Sequence, residues 1–168
     1  MAKTRRDEVI DWLNDAYAME RGLEVTLRKQ AQNKELHHAV RTRVGIHLDE
    51  TIVHAERLCD CLAKLGSSPS PVKTIAGEAI EMAKAYSTKF TADERVKDYL
   101  VSCSGEAFEV ACYKSLIEAA NEASEEEIVP LLEKNLAQDS AMAHWLDMNV
   151  GAITRDYLFH MPIGSAVA

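Results

Sequence analysis

The chain has no C-x-x-C pair: its four cysteines stand at 59, 61, 103 and 112, which argues against a zinc ribbon or a rubredoxin-like iron site. It has no apolar run of about 18 residues, so no transmembrane span is expected. The start, MAKTRRDEVIDWL, lacks the apolar segment of a secretory signal, and a cytoplasmic protein is expected. Glycine (seven), proline (four) and aromatics (6%) are scarce, while Ala, Leu, Glu and Lys are plentiful, which favours helix over sheet. Basic clusters are also missing. Lys3, Arg5 and Arg6 are followed at once by Asp7 and Glu8, and the net charge of −8 argues against nucleic acid as a partner. At 168 residues the chain is read as one domain spanning 1–168, long enough to bury a core without disulfides.

Apolar spacing predicts four long helices, over about 7–30, 34–65, 92–121 and 125–150. Asn33 is the expected N-cap of the second helix, Gly66 its terminator, and Ser124 with Glu127 a capping box for the fourth. Between Gly66 and Thr91 lies a long connection with a short helical pattern around 72–86, suited to a crossover between parallel second and third helices. The tail from Gly151 reads as a short helical extension with a frayed end. The expected fold is all-α, a four-helix bundle with one long crossover.

Each long helix carries an acidic residue among its apolar positions. In the third, Tyr99, Cys103, Val110 and Ile117 form a stripe that includes Glu106. Glu20 stands in the stripe of Val9, Leu13, Ala16, Leu23 and Leu27. Asp139 falls among Leu132, Leu136, Ala143, Leu146 and Val150, and Glu50 edges the stripe Val40, Val44, His47, Thr51, His54, Leu58. Ionised carboxylates in an apolar core must be neutralised, paired or metal-bound. Depth gives an independent test: residues equidistant from a hairpin turn lie at one level. The midpoint of 106 and 139 is 122.5 and that of 20 and 50 is 35, both in or beside expected turns. Glu20, Glu50, Glu106 and Asp139 are therefore expected to meet as metal ligands, with His54, four residues after Glu50, as a further one. His47, Glu109 and Tyr17 are expected around them in supporting positions, Glu109 lying about 80° from the stripe on its flank.

The segments DWLNDAYAME, HLDET, EAFEVACYKSL and LLEKNLAQD…WL resemble the YciE/YciF-type family of bacterial ferritin-like proteins, over about residues 7 to 150. The resemblance implies a rubrerythrin- or ferritin-like bundle, a cytoplasmic homodimer associated with stress response. Ferritin-like di-iron proteins use single glutamates on two helices and Glu-x-x-His on the other two. Here Glu20 and Glu106 match the single glutamates, and Glu50 and Asp139 the acidic members of the paired motifs. Val53 and Met142 stand where the histidines would be. An oxygen-rich ligand set suits iron or manganese, two ions per chain. Two functions follow as expectations: an oxidoreductase acting on O2 or peroxide, or a non-enzymatic bundle working through its surface.

Overall fold

The computed structural model describes residues 3–70 and 94–159, and all its regular elements are helices: α1 (Arg5–Gln32), α2 (His38–Lys64), α3 (Glu94–Glu122) and α4 (Val129–Phe159). The expected crossover helix at 72–86, the opening of the third helix at 91–93 and the end of the tail fall outside the described residues. No described helix is long and apolar enough to cross a membrane.

Local chemistry accounts for the helix ends. Thr4 caps α1 in a reciprocal box: its hydroxyl accepts from the Asp7 amide at 3.1 Å, and its own amide donates to Asp7 Oδ2 at 2.8 Å. The helix therefore opens two residues before the apolar spacing predicts. Asn33 closes α1 rather than opening α2, its side chain accepting from the Glu35 amide at 3.0 Å. His37 takes the N-cap of α2, with Nδ1 accepting from the Ala39 amide at 3.2 Å. Gly66 ends α2 as expected, at a φ of 68°, with the paired bonds Gly66 N to Ala63 O and Ser67 N to Leu62 O.

The same closure ends α3 without a glycine. Ser124 sits at a φ of 58°, its amide donating to Asn121 O and that of Glu125 to Ala120 O. Ser124 therefore terminates α3 and does not cap α4, which opens five residues later at Val129. The tail is a continuation too: α4 runs unbroken to Phe159.

Contacts between helices run with opposite numbering. Tyr113 meets Glu20 and Ser102 meets Gln30, so α3 is antiparallel to α1. Cys61 meets the carbonyl of Ile128 and Arg57 meets Asn135, so α4 is antiparallel to α2. The short turns make α1–α2 and α3–α4 antiparallel as well, which leaves α2 and α3 parallel and diagonal. Backbones approach around the rim of this square, and the diagonals meet only through side chains.

Two apolar layers fill the core. One holds Leu13, Leu58, Leu62, Leu116, Ile128 and Leu132, towards the start of α1; the other holds Leu27, Val40, Val44, Tyr99, Met142 and Leu146. Fully burying each such leucine stabilises the fold by about 1.5–3 kcal/mol. Between the layers, every helix turns polar groups inward.

The left-handed serine yields the first prediction. Non-glycine residues lose about 1–2 kcal/mol in this conformation, so Ser124→Gly is expected to raise the Tm by about 2–4 °C. Thermal unfolding followed by circular dichroism checks this; an unchanged or lowered Tm would mean that the Ser124 side chain compensates its backbone.

Candidate metal centre

The polar layer is built from all four helices. α1 gives Glu20, α2 gives His47, Thr51 and His54, α3 gives Glu106 and Glu109, and α4 gives Asn135 and Asp139; each is at most 4% exposed. The acidic and imidazole groups converge in two clusters. His47, Glu106, Glu109 and Asp139 each bring one ligand atom within 4.8 Å of the others, and so do Glu20, His54 and Asp139. Asp139 belongs to both.

Each imidazole is held from behind. His47 Nδ1 lies 2.9 Å from Glu50 Oε2, which also accepts from Arg43 at 3.2 Å. A carboxylate accepts only, so Nδ1 keeps its proton, and Nε2 is the nitrogen turned to the cluster, its lone pair available once the ring is neutral. That Nε2 is 3.1 Å from Glu106 Oε1 yet lacks the alignment of a hydrogen bond. His54 Nε2 meets Gln138 Oε1 at 3.1 Å, an oxygen that accepts from Arg57 at 2.7 Å. The arginine fixes which end of the amide faces the ring. His54 Nδ1 is thus the free nitrogen, 3.5 Å from Glu20 and 3.4 Å from Asp139.

Glu20 is tethered on one side only. Tyr113 donates to its Oε1 at 2.5 Å, the Asn135 amide donates to the tyrosine oxygen at 2.9 Å, and Arg57 donates to Asn135 Oδ1 at 2.8 Å. Several ligand-type atoms have no hydrogen-bond partner among the described residues: Glu20 Oε2, His47 Nε2, His54 Nδ1, Glu106 Oε2, Glu109 Oε2 and both Asp139 oxygens. Buried polar atoms are rarely left so. Here they face one another, and their types are those of a hard divalent metal site.

Without metal, protons must moderate the charge. Burial, then the Glu20 and Glu106 carboxylates, push Asp139 up to about 9. Burial, then Glu106, raise Glu109 well above the carboxylate range. Burial pushes the His47 imidazole down, but Glu106, Glu50 and Asp139 outweigh it and lift the group to about 9. Glu50 goes the other way: burial raises it, while His47 and Arg43 together hold it below its ordinary value. Burial, then Glu20, raise the Tyr113 hydroxyl.

The sequence-derived residues are thus distributed unevenly. Glu20, Glu106, Asp139 and His54 are brought together. Glu50 lies outside both clusters, its side chain 22% exposed, and supports His47. His47 faces the cluster directly. Glu109 is inside it and not on a flank, 2% exposed: the inward face of α3 is Tyr99, Glu106, Glu109, Tyr113, Leu116 and Ala120, turned away from the stripe of Val110 and Ile117. Tyr17 is partly buried against the apolar layer of Leu13 and Leu58, and Tyr113 is the tyrosine at the site. Asn135, Gln138, Arg43 and Arg57 were not foreseen. A signal existed for Asn135: Leu132, Asn135, Asp139, Met142 and Leu146 form the buried face of α4 at helical spacing.

The raised groups predict a pH dependence. His47 binds its proton to about 9 when folded and to about 6.5 when unfolded, so its contribution is complete below 6.5 and is lost as pH rises through 9. Asp139, at about 9 against 3.8, likewise holds a proton that the unfolded chain has released. Glu50 acts oppositely, but only below its ordinary value of 4.5. Each retained proton gives a slope of about 1.4 kcal/mol per pH unit, so the Tm of metal-free protein is expected to fall by about 5 °C or more between pH 6.5 and 9. Asp139→Asn should flatten the fall. A level or rising Tm in thermal scans across this window would overturn the charge assignment.

Solved structures share this architecture. A protein of Xanthomonas campestris pv. campestris is 29% identical, with a TM-score of 0.77 over 92% of this chain and 96% of its own. YcfI of Rhodopseudomonas palustris is 28% identical, with a TM-score of 0.74 over 86% and 93%. The stress protein YciF of Escherichia coli is 22% identical and has the same fold, with a TM-score of 0.77 over 92% and 99%. A family model described as a domain of unknown function, DUF892, matches residues 4–159, from the cap of α1 to the end of α4, and the chain belongs to that family.

Proposed function

We propose that the chain is a ferritin-like metalloprotein whose polar layer holds two iron or manganese ions and reduces dioxygen or peroxide. One observation carries this reading: seven buried carboxylate and imidazole atoms without hydrogen-bond partners face one another from four helices, in two groups that share Asp139. Glu20 and His54 would hold one ion and His47, Glu106 and Glu109 the other, with Asp139 between them. Four carboxylates and two imidazoles favour iron or manganese over softer, thiolate-bound metals. YciF of Escherichia coli, which shares the fold, is a stress protein, in keeping with oxidant or metal handling.

The metal pair would supply the electrons for such a reduction. The protein's own groups supply the setting. The two apolar layers close the polar layer off along the bundle axis, which excludes bulk water and strengthens every interaction inside. Tyr113 holds a proton directed at Glu20 Oε1, and Asn135 fixes that hydroxyl from the other side. Glu50, partly exposed, keeps a proton on His47 Nδ1 and joins the interior to solvent.

Elemental analysis of protein purified without chelator from iron- and manganese-supplemented cells tests the reading. About two ions per chain are expected, with a loss of at least one in Glu106→Ala, and the loaded protein should consume oxidant faster than free metal. Absence of metal, even after anaerobic ferrous reconstitution, would reject the centre in favour of a bundle acting through its surface. Two bound ions without oxidant consumption would retain the centre and reject the activity.

A further inference from the structure

The two halves of the polar layer are built alike but finished differently. On α2, Arg43 donates to Glu50, which accepts from His47; fourteen residues on, Arg57 donates to Gln138, which accepts from His54. Each imidazole thus has an arginine-held acceptor behind it and a free nitrogen in front. The acceptors differ in kind. Glu50 is a carboxylate and Gln138 a neutral amide.

That difference bears on metal affinity. An anionic acceptor on the ring N–H raises the basicity of the other nitrogen, making His47 the stronger donor. A neutral amide, polarised further by Arg57, does this far less for His54. The donor sets add to the contrast. His47 shares its cluster with Glu106, Glu109 and Asp139, whereas His54 has Glu20 and Asp139, and one oxygen of Glu20 is engaged by Tyr113. Four donors with three carboxylates stand against three donors with two.

We propose that the centre loads in two unequal steps, the first ion at His47, Glu106, Glu109 and Asp139, the second, exchangeable ion at Glu20, His54 and Asp139. The proposal rests on the dimetal reading above and adds an order to it. Glu50 and Gln138 are positioning residues that set the order from behind the ligands. The second position keeps fewer protein donors, which leaves coordination sites for a small oxidant.

Titration of the metal-free full-length chain with Mn2+ tests this, with calorimetry reading affinity and electron paramagnetic resonance reading isolated against coupled ions. Two steps at least tenfold apart in affinity are expected, with an isolated-ion signal to one equivalent that weakens through coupling as the second ion enters. His54→Ala should keep the first step and lose the second. Glu50→Gln should weaken the first step by about 10- to 100-fold, and the near-isosteric Gln138→Glu, still facing Arg57, should tighten the second by about tenfold. That gain of affinity is something a merely structural role would not produce. Combining the two exchanges should bring the steps together or reverse them.

Two ions bound in one step of equal affinity would overturn the proposal while leaving the dimetal centre standing. So would a Gln138→Glu variant whose second step is unchanged, or a first step lost in His54→Ala and kept in His47→Ala. If no form bound manganese or, in the same titration done anaerobically, ferrous iron, the centre and this order with it would be rejected.

Discussion

The interaction on which the rest of the structure depends is the repulsion among the carboxylates gathered around Asp139. Glu20, Glu106 and Glu109 approach it inside a layer closed to solvent, where unit charges a few ångströms apart interact far more strongly than in water. The fold answers with protons on Asp139, Glu109 and His47 and with the hydrogen bond from Tyr113 to Glu20. Two divalent cations would serve the same end without protons, so metal uptake would be coupled to proton release. Stability alone would favour an apolar layer here, since leucines of similar size would pack without any such conflict. Retaining the conflict is what marks the layer as a site.

The helices are arranged to keep that layer in place. Leucines, Ile128 and Met142 above and below it fix the depth of each helix, and depth decides whether carboxylates from different helices meet. Behind the inward groups stands a second set, Arg43 with Glu50 and Arg57 with Asn135 and Gln138, which fixes the direction of each imidazole and of Tyr113. Asn135 is as buried as the groups it holds, but Arg43, Glu50, Arg57 and Gln138 lie nearer the surface, so the two guanidinium groups offset interior negative charge without entering the cluster.

Much of this was legible in the sequence, for identifiable reasons. Helix number, the parallel second and third helices and the meeting of Glu20, Glu106, Asp139 and His54 follow from spacing and from distances to the turns, which helical rise makes nearly metric. The exchange of roles between Glu50 and His47 does not follow. Charge type drew attention to Glu50, although His47 held the centre of its stripe with Val44, Thr51 and His54. On α3 the difficulty was different: Cys103, Phe108, Val110, Cys112 and Tyr113 surround the helix, so apolar residues do not single out one face, and Glu109 looked peripheral. Ser124 could not be recognised as a helix terminator because that conformation is ordinarily glycine's. Gln138 and Arg57 carry no signal of their own, since an amide beside a ring has no signature in sequence.

The candidate ligands are shared evenly between the two hairpins. Glu20, His47 and His54 belong to α1–α2, and Glu106, Glu109 and Asp139 to α3–α4. Within each hairpin a short turn keeps the partners close and the backbones approach along the helices, whereas the two hairpins approach each other much less. A metal pair held there would be a removable cross-link across the weaker seam, and its release would loosen the hairpins from each other. The oxidation state or supply of the metal would then be expressed as a change in how firmly two halves of one chain are clasped.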